Sequence, residues 1–219
     1  MDTIGDLVEA KVTLTHEDRV AFNQYIPLCV RTMNTDLSDD QIESMLTMGM
    51  FGELGEIIDY LKKVYFHGKP LDRSVVIKEI GDVFWYLGCS VWYLNTTKYK
   101  WFLETNNCKE NISPQWRPIT WLQGNESLDL SNTDTPVFVC LMYDAIRFTN
   151  ALRTKFPNSL YRCRKRNIYQ LLHVFICLKY ILSKYDITVQ ECLDANVKKL
   201  EARYPDGFSA SASNNRKDQ

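Results

Sequence analysis

The sequence predicts an all-α fold, and three observations lead to that prediction. Apolar residues recur at helical spacing through most of the chain, capping residues stand directly before several of these runs, and glycine or proline follows them. With 219 residues, 45% of them hydrophobic, the chain can bury a full core in one or two domains. No run approaches the roughly 18 apolar residues of a membrane span, and the first residues lack the basic and apolar regions of a signal peptide.

Three helices are predicted in the first 95 residues. Thr15 opens a capping box before a first helix, which Pro27 should kink or interrupt. Ser38 opens a second helix, which should end at the sequence HGKP. Asp72 can cap a third helix, whose apolar stripe predicts the residues that pack in the core: Ile80, Val83, Phe84, Leu87 and Val91.

Helices are predicted to resume after an irregular stretch. Residues 96–135 turn polar and contain two prolines, which indicates a linker or lid with a short hairpin around RPITWLQ. We expect helices over about 136–156 and 166–185, and Thr188 opens a capping box before a last helix. The final stretch, from residue 209, is small and polar enough to be disordered alone. Three tryptophans of the irregular stretch either stack on a base or anchor it on the helical body: Trp101, Trp116 and Trp121.

The net charge of -1 conceals an asymmetry between the two ends of the chain. Residues 1–95 carry 15 acids and 8 bases, whereas residues 136–219 carry 7 acids and 14 bases. Either one part holds a metal ion while the other meets phosphate, or two solvated faces pair with each other. The 7 cysteines form an odd set without a CxxC pair, which favours reduced thiols in a cytoplasmic compartment over disulfides or zinc.

Two pairs of acids stand three residues apart within the second and third predicted helices. Glu53 pairs with Glu56, and Glu79 pairs with Asp82, with 22 residues between the pairs. Positions i and i+3 share a helix face, so each pair aims two carboxylates the same way. Burying such charges unpaired costs several kcal/mol per ion, so a cation should lie between them. Oxygen ligands in this number suit Mg²⁺ or Mn²⁺, and Mg²⁺ held by carboxylates usually also holds substrate phosphates.

A shift of 91 residues places part of the chain on itself without a gap. The matched apolar positions are Leu61 with Leu152, Ile77 with Ile168, Val83 with Val174, Phe84 with Phe175 and Leu87 with Leu178. The four acids fall in turn on Asp144, Arg147, Gln170 and His173, so a second copy would have lost its metal ligands. Duplication and a chance match between two amphipathic helical pairs both stay open on this comparison.

The run GELGEIIDYLKKVYFHGKPLDRSVVIKEIGDVFWYLG resembles the MazG-like, all-α nucleoside triphosphate pyrophosphohydrolases. The hallmark of that family is an ExxE pair followed by an ExxD pair on neighbouring helices. Here both pairs, Gly55, Gly81 and the FHGKPLD connection occur in the same order. The segments NQYIPLCVRTMN and LDANVKKLEARYPDGFS resemble the start and the end of compact, phage-type members. The resemblance covers roughly residues 22–95 and 166–216.

The chain departs from the compact members in one respect. Their closing segment follows the ExxD helix after one short turn, whereas about 90 residues intervene here. Measured from His173, however, Asn196 lies where the family places it after the ExxD aspartate, which favours a fused pseudo-dimer of two tandem helical modules. Its second copy could cover the face that relatives bury by dimerising, and a homodimer of such chains stays an alternative. The expected domains are a module with the complete acidic set over 1–95, a Trp-containing insert over 96–135, a degenerate second module with the closing motif over 136–208 and a polar tail over 209–219.

The resemblance implies a hydrolase that acts on nucleoside triphosphates. Mg²⁺, or Mn²⁺ in its place, would be held by the four acids, and water would attack the α-phosphorus to release a monophosphate and pyrophosphate. Substrate contacts are implied for Tyr86, one turn past Asp82, and for the closing-motif residues Asn196, Lys199 and Arg203. Without the resemblance, Tyr86 would be a core-edge aromatic and the closing motif a solvated helix face.

A second class of function stays open beside the enzyme. A non-catalytic nucleotide-binding or regulatory protein derived from such an enzyme would keep the same fold, although the intact acids favour hydrolysis. The near-neutral charge argues against a dedicated nucleic-acid binder. We expect His173 to be structural rather than a metal ligand, since it lacks a second histidine nearby. One basic cluster either binds nucleic acid, anchors a triphosphate or forms a charged surface loop: Arg162, Arg164, Lys165 and Arg166.

Overall fold

The computed structural model describes residues 11–94, 96, 127–129, 137–153 and 160–214. Helices dominate these residues, which confirms the all-α class. The helices are α1 (His16–Arg31), α2 (Asp39–His67), α3 (Arg73–Tyr93), α4 (Val137–Arg153), α5 (Leu160–Ser183), α6 (Val189–Arg203) and α7 (Ala210–Asn214). Two strands, β1 (Lys11–Thr13) and β2 (Ser127–Asp129), pair antiparallel with Val12 opposite Leu128. The sequence did not predict this pair, because three residues are too few to show an alternating pattern.

The helix starts follow the predicted capping residues. Thr15, Ser38 and Thr188 each form a capping box, and the side chain of Asp72 accepts from the Ser74 amide at the start of α3. Helix α2 ends at Gly68, whose φ of 68° lies in the left-handed region that glycine adopts without strain. Local hydrogen bonding therefore sets most of the helix boundaries in the first hairpin.

Several predicted boundaries are wrong. Pro27 does not interrupt α1, which continues to Arg31 because buried neighbours such as Ile26 and Cys29 hold it against the core. Helix α5 begins at Leu160 rather than at 166, whereas the predicted end of the preceding helix near residue 156 lies outside the described residues. The basic cluster at residues 162–166 therefore lies in the first turns of a helix and not in a loop. Part of the final stretch is also helical. Helix α7 begins at Ala210, and the Ser209 hydroxyl just before it accepts from the Ala212 amide.

The helices pack as two consecutive pairs. A five-residue connection joins α2 to α3, and these two helices pack along each other, as do α4 and α5. Across the pairs, α2 packs on α4 and α3 packs on α5, while α1 and α6 cover another side of α3. Both predicted helical pairs are therefore present, and their superposition about a twofold axis stays a prediction.

An aromatic cluster joins three helices in the core. The rings of Phe22 on α1 and Phe84 on α3 each lie 4.9 Å, centroid to centroid, from the ring of Phe175 on α5. All three side chains are buried. Aromatic rings at this spacing add to the hydrophobic stabilisation of the contact. Helix α3, which carries the ExxD pair, is thus held between α1 and α5.

Within the described residues, no helix is both long enough and apolar enough to cross a membrane. The predicted RPITWLQ hairpin and the three tryptophans of the insert fall outside the described residues, as does the end of the polar tail.

Candidate metal and phosphate site

Three of the four predicted carboxylates converge. Glu53 and Glu56 lie one turn apart on α2, and Glu79 faces them from α3. One oxygen atom from each of the three lies within 4.8 Å of the others. Carboxylate oxygens at this spacing form an arrangement that a hard divalent cation can bridge.

Glu79 lies deepest in this cluster. Its side chain is buried with 7% of the residue exposed, and its Oε1 accepts from Lys78 Nζ at 3.2 Å. Its Oε2 is also buried and has no hydrogen-bond partner among the described residues. Burial raises the pKa of Glu79, and the ammonium of Lys78 only partly opposes that shift. A buried acceptor left unpaired costs on the order of 1–3 kcal/mol, so a bound cation would relieve this cost.

Glu53 is the carboxyl whose ionisation the site alters most clearly. Burial, together with the negative charges of Asp82 and Glu56, raises the pKa of Glu53 to about 7, while the ammonium of Lys199 acts in the opposite direction. Glu53 would therefore be partly protonated near neutral pH unless a cation compensates its charge. The cluster is electrostatically unfavourable by itself.

Asp82, the fourth predicted acid, is held by α6 instead of joining the three glutamates. Its Oδ1 accepts from Asn196 Nδ2 at 2.7 Å and forms an ion pair with Lys199 Nζ. Two predicted substrate-binding residues thus contact a predicted metal ligand. The spacing of the acids could not reveal this, because the compensating amine lies 117 residues further along the chain.

A cavity of about 440 Å³ opens beside the carboxylates. Charged side chains line part of its wall: Glu53, Glu56, Lys78, Asp82, Lys199 and Arg203. Aromatic and apolar side chains also line it: Leu37, Met45, Trp85, Tyr86, Tyr204 and Phe208. Acids, bases and apolar surfaces therefore border the same cavity.

Tyr86 lies at this cavity, where the resemblance placed a substrate contact. A Cβ at position 49 would fall 2.0 Å from Tyr86 Cε1, so the glycine of α2 leaves the space that the ring occupies. Beside it, Trp85 Nε1 donates to Thr32 Oγ1 at 2.9 Å, which fixes the indole plane. Of the predicted substrate-binding residues, Tyr86, Lys199 and Arg203 line the cavity.

The corresponding positions of the second helical pair are occupied by paired side chains. His173 Nδ1 lies 3.3 Å from Asp144 Oδ2. In the amide orientation that satisfies both groups, Gln170 donates to the Arg147 carbonyl at 3.1 Å and accepts from Arg147 Nε at 3.2 Å. In the described part of the chain, the converging carboxylates described above are the only group of three or more such side chains that could hold a metal ion.

Sequence reasoning missed three residues of the site. Lys78 precedes Glu79 directly and is four residues from Asp82, a spacing that could have indicated a local ion pair. Trp85 lines the cavity and directly precedes Tyr86, so its place beside a predicted substrate contact could have indicated it. Tyr25 donates its hydroxyl hydrogen to Asn196 Oδ1 at 2.6 Å, and no local pattern could have linked these distant positions.

Comparison with known proteins gives no relative for this chain: no family model, no curated protein and no solved structure matches it. The family resemblance therefore depends on the acidic pairs, their connection and the closing motif.

Proposed function

We propose that the chain is a MazG-like nucleoside triphosphate pyrophosphohydrolase that depends on Mg²⁺, with Mn²⁺ as a substitute. One observation carries the proposal: the carboxylates of Glu53, Glu56 and Glu79 converge, Glu79 has a buried oxygen without a hydrogen-bond partner among the described residues, and the other two glutamates line a cavity that also presents three basic side chains. A cluster of like charges that opposes its own ionisation needs a cation, and nearby bases favour an anionic ligand. A metal-bound triphosphate meets both requirements.

The donor set fits a hard divalent ion. Glu53, Glu56 and Glu79 would hold it, and Asp82 would join them through the carboxylate oxygen that neither Asn196 nor Lys199 contacts. When bound, the ion neutralises phosphate oxygens and lowers the pKa of bound water. The four-acid ligand set and attack at the α-phosphorus follow from the family resemblance.

The remaining residues of the cavity suit the other parts of a nucleotide. Lys78, Lys199 and Arg203 would bind the triphosphate oxygens, and the ring faces of Trp85 and Tyr86 would contact the base. Water would add to the α-phosphorus as the bond to the α,β-bridging oxygen breaks. The products are a nucleoside monophosphate and pyrophosphate.

We also propose that residues 136–208 form a degenerate second module, so that the chain is a pseudo-dimer with one active site. Phe84 and Phe175, which correspond at the 91-residue offset, pack ring against ring. The positions that correspond to Glu53 and Asp82 contact each other as Asp144 and His173. Contacts between corresponding residues are expected near a pseudo-twofold axis.

The test is pyrophosphate release from a panel of common and modified nucleoside triphosphates, with Mg²⁺, with Mn²⁺ and with a chelator. We expect metal-dependent release of pyrophosphate and monophosphate from at least one substrate. Tight nucleotide binding without turnover would instead support the non-catalytic alternative. Release of orthophosphate would contradict attack at the α-phosphorus.

A metal titration tests the pseudo-dimer independently. Mn²⁺ binding should saturate with one set of sites per chain, and Glu79→Gln should remove that set. Two equivalent sets of tight sites per chain would contradict an inert second module.

A further inference from the structure

Three helices meet in a short hydrogen-bonded relay that ends on Asp82. Tyr25 on α1 donates to Asn196 Oδ1 at 2.6 Å, and Asn196 Nδ2 on α6 donates to Asp82 Oδ1 on α3 at 2.7 Å. We propose that Tyr25 is a positioning residue, whose hydroxyl fixes the Asn196 amide so that the amide nitrogen holds Asp82 in its metal-binding orientation. This inference rests on the proposed metal-dependent function, and it assigns Tyr25 no contact with substrate.

The Asn196 amide can hold Asp82 only if it keeps one of its two orientations. The two ends of an asparagine side chain have nearly the same shape but opposite hydrogen-bonding roles. If the amide turned over, its oxygen would face the Asp82 carboxylate and repel it. The Asp82 carboxylate can only accept, so it faces the amide nitrogen, and the Tyr25 hydroxyl donates to the opposite end of the amide. Burial raises the pKa of Tyr25 well above its usual range, so this donor hydrogen is retained. The Asn196 amide is thereby held with its donor towards Asp82.

Burial protects the hydrogen bonds of the relay from competition with water. Tyr25 is 2% exposed and Asn196 is 3% exposed, so solvent does not compete for either hydrogen bond. A hydrogen bond inside the protein is stronger than the same bond in water, and an unmade one costs more. The hydroxyl of Tyr25 therefore holds the Asn196 amide in place more strongly than an exposed tyrosine could.

Two glycines of α3 permit the close approach of the neighbouring helices. A Cβ at Gly81 would lie 3.0 Å from the Cys192 carbonyl oxygen and 3.2 Å from Asn196 Cβ. A Cβ at Gly88 would lie 2.9 Å from the Sγ of Cys29, one turn after Tyr25. Larger residues at these positions would force α6 or α1 away from α3 and lengthen the relay.

The relay contacts only one of the two carboxylate oxygens of Asp82. Asn196 and Lys199 both contact Oδ1, and neither contacts Oδ2. With Oδ1 held from α6, the orientation of Oδ2 is fixed by the plane of the carboxylate. Groups that orient a ligand in this way typically change metal affinity by about 10–100-fold when they are removed.

The experiment is Mn²⁺ binding to the full-length chain, followed by electron paramagnetic resonance without substrate. Tyr25→Phe keeps the ring and removes only the hydroxyl, and we expect it to weaken Mn²⁺ binding about tenfold. The matched control is Tyr93→Phe, which removes the hydroxyl of another buried tyrosine that contacts a carboxylate outside the cavity, Glu43 at 3.1 Å. Both variants should lower the melting temperature, but only Tyr25→Phe should change the Mn²⁺ affinity.

A double variant shows whether Tyr25 acts through Asn196. If it does, adding Tyr25→Phe to Asn196→Ala should weaken Mn²⁺ binding no further, because the amide that the hydroxyl orients is already absent. Unchanged Mn²⁺ affinity in Tyr25→Phe, or fully additive losses in the double variant, would overturn the inference while leaving the proposed function intact. Wild-type protein that binds no Mn²⁺, or whose binding survives Glu79→Gln, would overturn both.

Discussion

The two helical pairs differ in the charge and hydrogen bonding of residues at corresponding positions. In the α2–α3 pair, Glu53, Glu56 and Glu79 place like charges within 4.8 Å of one another. In the α4–α5 pair, the residues at the corresponding offsets contact one another through hydrogen-bonding groups: Asp144 with His173, and Arg147 with Gln170. The second arrangement is what a helical pair needs for stability alone.

This difference separates the requirements of the fold from those of the site. Because the α4–α5 pair packs without a carboxylate cluster, the cluster in α2–α3 is not needed to hold two helices together. Burial also raises the pKa of Glu53 and of Glu79, so the metal-free cluster opposes folding at neutral pH. Residues that destabilise a fold and line a cavity are typical of a functional site.

The largest expected effect is on turnover. Alanine at Glu53, Glu56, Glu79 or Asp82 should each lower the rate of pyrophosphate release by about a hundredfold or more, since a principal electrostatic stabiliser is removed. Gln170→Ala and His173→Ala should change the rate little. The measurement is steady-state release at several Mg²⁺ concentrations, with circular dichroism to confirm folding.

Two results would contradict the assignment of the active site to the α2–α3 pair. Full activity in the Glu53 or Asp82 variant would contradict the proposed site. Loss of activity only in the Gln170 and His173 variants would place the site in α4–α5.

Sequence patterns predicted the parts of this molecule that depend on local order. Capping boxes at Thr15, Ser38 and Thr188 appeared where expected, because each depends on side chains three residues apart. The convergence of Glu53, Glu56 and Glu79 was also predictable, since helix spacing sets which carboxylates share a face. Pro27 was misjudged because the packing of α1 outweighed a local preference.

The parts that could not be predicted depend on contacts between distant segments. Nothing near Asp82 indicates that Lys199 would pair with it, and nothing near Tyr25 indicates Asn196. The resemblance assigned Asn196 and Lys199 to substrate binding, and in the structure both contact a predicted metal ligand. With substrate bound, phosphate would compete with Asp82 for both residues.

Matched neutral substitutions should change stability in opposite directions in the two pairs. In the presence of a chelator at pH 7.5, Glu53→Gln should raise the free energy of unfolding because it removes a repelled carboxylate. Asp144→Asn should lower it by about 1–3 kcal/mol, because the carboxylate at the corresponding offset is hydrogen-bonded to His173. Urea unfolding of the two variants measures both changes, and shifts of the same sign would break the comparison.

Substitution of Lys199 should mainly affect substrate binding. Lys199→Ala removes a base from the cavity, so the Michaelis constant should rise by roughly tenfold while turnover falls less. The control is Lys179→Ala, which breaks an ion pair of similar burial: side-chain exposure is 20% and 13% for Lys179 and Asp18, against 21% and 15% for Lys199 and Asp82. Equal kinetic effects in both variants would indicate a general structural cause.

A pH dependence of stability should belong to the first pair alone. The pKa of Glu53 is about 7 in the folded chain and near 4.5 when unfolded, so between these values the folded state holds a proton that the unfolded state has released. Stability should therefore be highest at low pH on account of this group, fall as pH rises from about 4.5 to about 7, and change no further above that range. Subtracting the melting curve of Glu53→Gln from that of the wild type, in chelator at pH 5, 6, 7 and 8, isolates the contribution of Glu53 and of the charges coupled to it, because distant titrating groups cancel. Asp144→Asn provides the comparison from the second pair, and it should leave the fall between pH 5 and 7 in place. A wild-type fall that persists unchanged in Glu53→Gln would show that the carboxylate cluster is not the source of the strain.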